Sequence, residues 1–208
     1  TTATLTNNLI ADNQANSAGS GVSIWAGQVD LVHNTFANNR GAGGGVYVTG
    51  YRTSLGKIWP SAVALTNTIL SGHRTGITVT AGNAATVANT LWFDNDQDRA
   101  GDLAHRDDYM GTPGFVAPER GDYHLRTTSS AIDRARPTSV EDDIDGESRP
   151  TGAAADLGAD ELHPRPALRA RKRASADVIA AGQRLTYTLY VTNTGSMALH
   201  ALITDTLS

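Results

Sequence analysis

The sequence contains no cysteine. That excludes a disulfide framework and any thiolate nucleophile or thiolate metal site. It also has no apolar run of ~18 residues, the length a helix needs to cross a bilayer. Glutamate occurs only four times, few for a mainly helical chain, since Glu is a favoured helix former. Charge is scarce in one region only. Of 38 charged residues, seven lie within 1–95, whereas 11 of the 12 asparagines do. Net charge is +1 over 1–95, −9 over 96–163 and +4 over 164–208, which together give −4. A small acidic total provides no general attraction for nucleic acid. Three composition regimes imply more than one structural unit.

What is plentiful in residues 1–95 is glycine, threonine, alanine and asparagine, in a repeating order. Four segments align without gaps: 4–13 (TLTNNLIADN), 31–40 (LVHNTFANNR), 64–73 (ALTNTILSGH) and 86–95 (TVANTLWFDN). The alignment puts Asn7, Asn34, Asn67 and Asn89 in one column and Leu9, Phe36, Ile69 and Leu91 in another. The spacings of 27, 33 and 22 residues suit a coil of short strands whose turns accept insertions, not rigid helical repeats. Glycine-rich stretches then lead into Val22/Ile24, Val46/Val48 and Ile77/Val79, which alternate as half-buried strands do. Two or three strands per 22–33 residues describe one rung of a parallel β-helix. Equivalent side chains in such a coil stack at about 4.8 Å. Stacked like charges would repel there, whereas stacked amides hydrogen-bond along a ladder. The four asparagines therefore read as a structural ladder.

In these features residues 1–110 resemble right-handed parallel β-helix proteins of the pectate-lyase-like superfamily. The resemblance implies an all-β coil and says little about activity. Enzymes of this kind that cleave acidic polysaccharides cluster carboxylates for calcium or acid/base work, and residues 1–95 offer only Asp12, Asp30 and Asp94, well separated. Gly72-His73-Arg74 is similar to one element of the polygalacturonase set but stands alone. His73 shares its place after the repeat core with Asn13, Arg40 and Asn95, a structural position, and His33 reads as a packing or surface histidine within a strand. Trp25 and Trp92 read as packing residues. Tyr47, Tyr51 and Trp59 surround the longest departure from the repeat, residues 50–60. They are candidates for stacking on sugar rings, against the simpler role of covering the side of the coil. Asp94-x-Asp96-x-Asp98 begins like a calcium loop, but Arg99 and His105 stand where glycine and glutamate belong in an EF-hand. A looser Ca²⁺ site with Asp102 is the candidate that survives, beside a solvated acidic loop. No other cofactor is expected.

Residues 111–163 carry five ordered blocks: Pro113-Gly114-Phe115, Gly121-Asp122-Tyr123-His124-Leu125, Ala131-Ile132-Asp133, Asp143-Ile144-Asp145-Gly146 with Arg149-Pro150, and Asp156-Leu157-Gly158-Ala159 with Glu161. They resemble the C-terminal region of bacterial surface proteins of the choice-of-anchor Q family. Ser130, Ala135 and Asp160 depart from that pattern. A coil leaves its last rung open, so Phe115, Tyr123, Leu125, Ile132 and Leu157 are expected to cap it. Asp133, Asp143, Asp145 and Asp156 are expected to cap turns or pair with Arg149 and Arg126.

Residues 164–208 open with the linker Pro164-Arg165-Pro166. Arg169, Arg171 and Arg173 alternate along what reads as one solvated strand face. Leu185, Tyr187, Leu189 and Val191 form a second alternating run, Asn193-Thr194-Gly195 a turn, and Leu199, Ala201 and Ile203 a third run. The texture resembles the start of immunoglobulin-like repeats of bacterial surface proteins, which need about seven strands, so a partial β-sandwich is expected. The chain starts inside the repeat and stops after a strand-like run, which predicts a piece of a longer exported protein, extracellular or on a bacterial surface. The expected work is structural or adhesive, toward glycans or other surface proteins. The alternative is the C-terminal part of a polysaccharide lyase or glycoside hydrolase whose site lies in upstream rungs.

Overall fold

The structure, a computed structural model, describes residues 1–16, 18–195 and 199–205. Among them the chain is all-β, with one 3-10 turn at Pro118–Arg120 and no α-helix. It divides into two compact units, Thr1–Leu162 and His163–Ser208.

In the first unit, successive turns of chain lay short strands onto three parallel sheets. The first sheet stacks Thr2–Thr6, Gln28–Val32, Ala62–Thr66, Ala84–Ala88 and Ala104–Arg106. The second stacks Leu9–Ala11, Thr35–Ala37, Ile69–Ser71, Leu91–Phe93 and Tyr109–Met110. The third stacks Val22–Trp25, Val46–Thr49, Thr75–Val79 and Gln97–Ala100. This is a β-solenoid-like arrangement. Thr4, Asp30, Ala64, Thr86 and Ala104 share a column, so successive turns take 26, 34, 22 and 18 residues.

Alternation decides which side chains fill the coil. Leu5, Leu31, Leu65 and Val87 form one inward column, and Ile10, Phe36, Leu70 and Trp92 another. Val22, Val46 and Ile77 form a third and Ile24, Val48 and Val79 a fourth, as their period-two spacing predicts. All four columns meet in one apolar core, where each fully buried aliphatic side chain contributes about 1.5–3 kcal/mol.

The column of asparagines needs correcting by one residue. The register sets Thr6 against Val32 and Leu9 against Thr35, so Asn34 stands beside Asn8. Asn7, His33, Asn67 and Asn89 then share the corner between the first two sheets, all with φ between 52° and 54°. Matching asparagine to asparagine hid this, because the second turn places a histidine at the left-handed corner and its asparagine one position later. Phe36 shifts likewise, into the inward column, while Leu9, Ile69 and Leu91 point outward beside Thr35. His33 is thus a corner residue, not part of a strand. The next corner repeats the device with Asp12, Asn38, Gly72 and Asp94, also at positive φ. Asparagine, aspartate and glycine tolerate that conformation best, which accounts for much of the composition bias.

Residues 111–162 belong to the same compact unit. Phe115–Ala117 pairs antiparallel with Asp122–Leu125, and the chain beyond is irregular apart from a bridge between Asp142 and Ser148. The segment lies as a strap along the outer face of the second sheet. The outward residues Ile69 and Leu91 are buried there by Leu125, Ala131, Ala135 and Leu157, with Phe115 and Tyr109 at the margin. Gly158 shows how close the contact is. It has φ +93° and an added Cβ would lie 2.6 Å from both Ile69 Cδ1 and Thr35 Oγ1. Two of the four apolar columns end in polar residues on the last strands of their sheets. Arg99 continues the Val46–Ile77 column and His105 the Leu65–Val87 column. The Arg99 guanidinium lies over Trp92, and both Arg99 and His105 pair with Asp108.

The second unit pairs Leu168–Ala174 with Tyr187–Asn193, antiparallel over seven residues. Arg169, Arg171 and Arg173 are exposed on it, and so are Leu168, Ala170 and Lys172 on its other face. Leu199, Ala201 and Ile203 were expected to form a further strand, but 199–205 has no regular structure; residues 196–198 and 206–208 lie outside the described residues. One strand pair is present among the described residues where about three strands were expected.

Candidate functional site

The sequence-predicted residues fall into three places. The corner asparagines hold the strap. Asn67 Nδ2 donates to the Arg136 carbonyl at 2.9 Å and its Oδ1 accepts the Arg136 N–H at 3.0 Å. Asn89 Nδ2 donates to the Arg134 carbonyl, and Asn7 Nδ2 to that of Asp142. Residues 134, 136 and 142 therefore run back along the coil from its fourth turn to its first. Asn34 works differently. Its Oδ1 accepts both the backbone and side-chain N–H of Asn8 at 2.9 Å, and its Nδ2 donates to the Leu5 carbonyl.

The longer amide ladder stands at the second corner, in the position after the repeat core that Asn13, His73 and Asn95 share. Asn39 Oδ1 accepts from Asn13, and Asn39 Nδ2 donates to His73 Nε2 at 3.3 Å. His73 Nδ1 lies 3.1 Å from Asn95 Oδ1. With Nε2 an acceptor, the ring is neutral and carries its proton on Nδ1. Burial holds the His73 pKa down at about 4. Both ring nitrogens are committed to neighbouring rungs, so His73 is a rung of the ladder. Asn39, not Arg40, is its neighbour, through the same one-residue shift. His33 is also buried and neutral. Asn67 Nδ2 donates to its Nε2 at 2.9 Å, and burial, then the nearby charge of Arg149, bring its pKa to about 4.

The acidic candidates do not gather. Asp12 and Asp94 share a corner column three turns apart, ~14 Å at the strand spacing, beyond the 5–9.5 Å that paired glycosidase carboxylates need. Asp12 accepts a hydrogen bond from the Tyr123 hydroxyl, and Asp30 lies on the first sheet. Asp94, Asp96, Asp98 and Asp102 form no metal-ligand group among the described residues. The strand Gln97–Ala100 carries Asp102 away from the corner, and Asp98 accepts from Asn95.

The aromatic candidates are better placed. Tyr51 and Trp59 face each other across a short hairpin, 51% and 49% exposed, with Lys57 Nζ 4.0 Å from the Trp59 ring centre. Tyr47 lies on the outer face of the third sheet, opposite Ser23. Trp25, expected to pack, is 61% exposed on that same face, opposite Thr49. Trp92 is fully buried as expected.

The strap carries a charged network the sequence showed only as scattered blocks. Arg149 and Glu161 pair at 3.0 Å with side chains 1% exposed. Arg149 also donates to the carbonyls of Asp156 and Gly158, and Glu161 accepts the N–H groups of Thr151 and Asp156. Asp156 accepts from Asp133 and Leu162, and Asp143 from Asp145, Glu147 and Glu161. Arg149 thus pairs with Glu161, not with the aspartates expected, and Arg126 donates to the Val116 carbonyl. Burial raises the carboxyl pKa of Asp156 and of Asp160 to about 6 against their backbone hydrogen bonds. Beside this network His124 lies between Asp122, 2.6 Å from Nδ1, and Asp145, 2.9 Å from Nε2. Histidine within Asp-Tyr-His-Leu was the only signal in the sequence for that cluster.

The chain matches no protein-family model, no curated protein and no solved structure.

Proposed function

We propose that this chain is a structural and adhesive segment of an exported bacterial surface protein, a stiff coil that presents aromatic side chains to glycans. The observation that supports it best is the exposure of Trp25, Tyr51 and Trp59 on strands and a hairpin joined in sequence and register. Large aromatic faces left in water on rigid elements are costly unless a partner covers them, and sugar rings stack on such faces. Among the described residues, no helix is long and apolar enough to cross a membrane.

On this reading the coil is a right-handed parallel β-helix of the pectate-lyase-like kind, and residues 111–163 are a choice-of-anchor Q type region. Five ordered sequence blocks support the second assignment, and they fall on the hairpin, turns and buried acids of the strap. The antiparallel pair in the second unit supports the start of an immunoglobulin-like module. Adhesion predicts binding without turnover. Tryptophan fluorescence titrations against a panel of oligosaccharides should show saturable binding that Trp25→Ala and Trp59→Ala each weaken about tenfold. Release of unsaturated or reducing sugar ends from a bound glycan would replace this reading with the lyase or hydrolase one, and binding unchanged in both variants would remove the aromatic face from it.

A further inference from the structure

We propose that His124, Asp145 and Asp160 form a binding site for a divalent transition cation of the zinc type, with Asp122 orienting the imidazole. One ligand atom from each of the three lies within 4.8 Å of the others. Donors about 2.0–2.2 Å from a common ion satisfy that spacing. The set is mixed, one imidazole nitrogen and two carboxylate oxygens, which suits zinc better than the all-oxygen shell calcium prefers.

Three further observations separate this cluster from an ordinary acidic surface. Asp160 is only 8% exposed. One of its oxygens accepts the Leu125 N–H at 2.6 Å, and among the described residues its carboxylate takes no other hydrogen bond. Its second oxygen opens onto the cleft that His124 and Asp145 also line, where it is free to ligate a cation. Charge points the same way. Asp122, Asp145 and Asp160 surround a single imidazole, and among the described residues none of them forms an ion pair with lysine or arginine. Finally, the three donors line a cleft of about 120 Å³ whose other walls include Leu9, Tyr123 and Ile144. Apolar walls lower the local dielectric and strengthen any cation–carboxylate attraction.

The imidazole is already held as a metal-ligating histidine is. Asp122 at Nδ1 fixes the ring, so Nε2 faces Asp145, the carboxylate–histidine arrangement that orients first ligands in metal sites. A cation at the site would occupy the place of the Nε2 proton. The neighbouring Asp143 offers a competing all-oxygen group with Asp145 and Glu147. However, Asp143 Oδ1 already accepts two backbone N–H groups and Oδ2 a third, so its lone pairs are largely spent.

The test uses the full chain, titrated calorimetrically with Zn²⁺ and, separately, with Ca²⁺. The expected result is one equivalent of Zn²⁺ bound at micromolar or tighter concentration, weakened at least about tenfold by His124→Gln and by Asp145→Asn. Asp96→Asn, in the coil, should leave it unchanged. Co²⁺ should give visible ligand-field bands that His124→Gln removes. Asp145 is a half-exposed side chain, so its variant keeps the test open if His124→Gln does not fold. Zn²⁺ binding unaltered in Asp145→Asn, or none below millimolar, would overturn the proposal. A preference for Ca²⁺ indifferent to His124 would overturn it too, and would move the site to Asp143.

Discussion

At the corners of the coil the buried polar side chains are amides, hydroxyls and neutral imidazoles. In the strap they are a guanidinium and four carboxylates, Asp143, Asp156, Asp160 and Glu161. Both regions satisfy most of their buried groups with backbone partners, and the difference follows from repetition. A residue type placed at a coil corner recurs about 4.8 Å away in the next turn, so a charge there would meet its own kind. Asn13, Asn39, His73 and Asn95 avoid this by alternating donor and acceptor along one column. The strap passes each place once. It can set one Arg149 among several acids and let unpaired N–H groups of irregular backbone bind the carboxylates.

The comparison is tested most severely at the strap's ion pair. Arg149→Ala leaves Glu161 buried beside uncompensated acids and should cost about 3–5 kcal/mol, seen as a lower urea midpoint; a change under about 1 kcal/mol would make the pair dispensable. Next, Gly158→Ala should cost ~1–3 kcal/mol through its positive φ and the clash with Ile69. In the coil, Asn39→Ala removes one amide from a column and should cost ~1–3 kcal/mol, with hydrogen exchange rising first at the Asn13 amide, which Asn39 Oδ1 accepts.

Acid sharpens the contrast. His33 and His73 have folded pKa values near 4, below the unfolded 6.5. Between these values the unfolded chain binds more protons, so their contribution is complete above pH 6.5 and is lost as pH falls toward 4. Asp156 acts oppositely. Its folded pKa of about 6 exceeds the unfolded 3.8, so its contribution is complete below 3.8 and is lost as pH rises through 6. His73→Asn keeps the ladder and deletes one titration, so melting temperatures at pH 7 and pH 4.5 should lie closer together than in the parent. The smallest effect belongs to the exposed face, where Trp59→Ala should change stability by no more than about 0.5 kcal/mol.

Repetition also governs how much of this the sequence disclosed. The apolar columns Val22–Val46–Ile77 and Ile24–Val48–Val79 were legible because alternation and stacking impose the same pattern several times. The asparagine column misled by one position because two adjacent columns both use asparagine for different reasons, left-handed backbone in one and the ladder in the other. His33 at the corner broke the tie the wrong way. Trp25 was missed because alternation tells inward from outward only once the register is fixed. The pairing of Arg149 with Glu161 and the grouping of His124 with Asp145 and Asp160 join residues 12 to 36 positions apart in an irregular segment, and the strap's bonds to the corner asparagines join residues 45 to 135 apart. No periodicity points to such contacts.

A coil whose turns touch only their neighbours should come apart turn by turn when pulled along its axis. Here residues 134, 136 and 142 are bonded to Asn89, Asn67 and Asn7, in the fourth, third and first turns. The strap is thus a tie-rod laid beside a spring. Axial tension loads its bonds together in shear, and the first turn cannot peel away until the strap is stripped. Single-molecule stretching of this unit should then show one high rupture in place of a staircase of small ones.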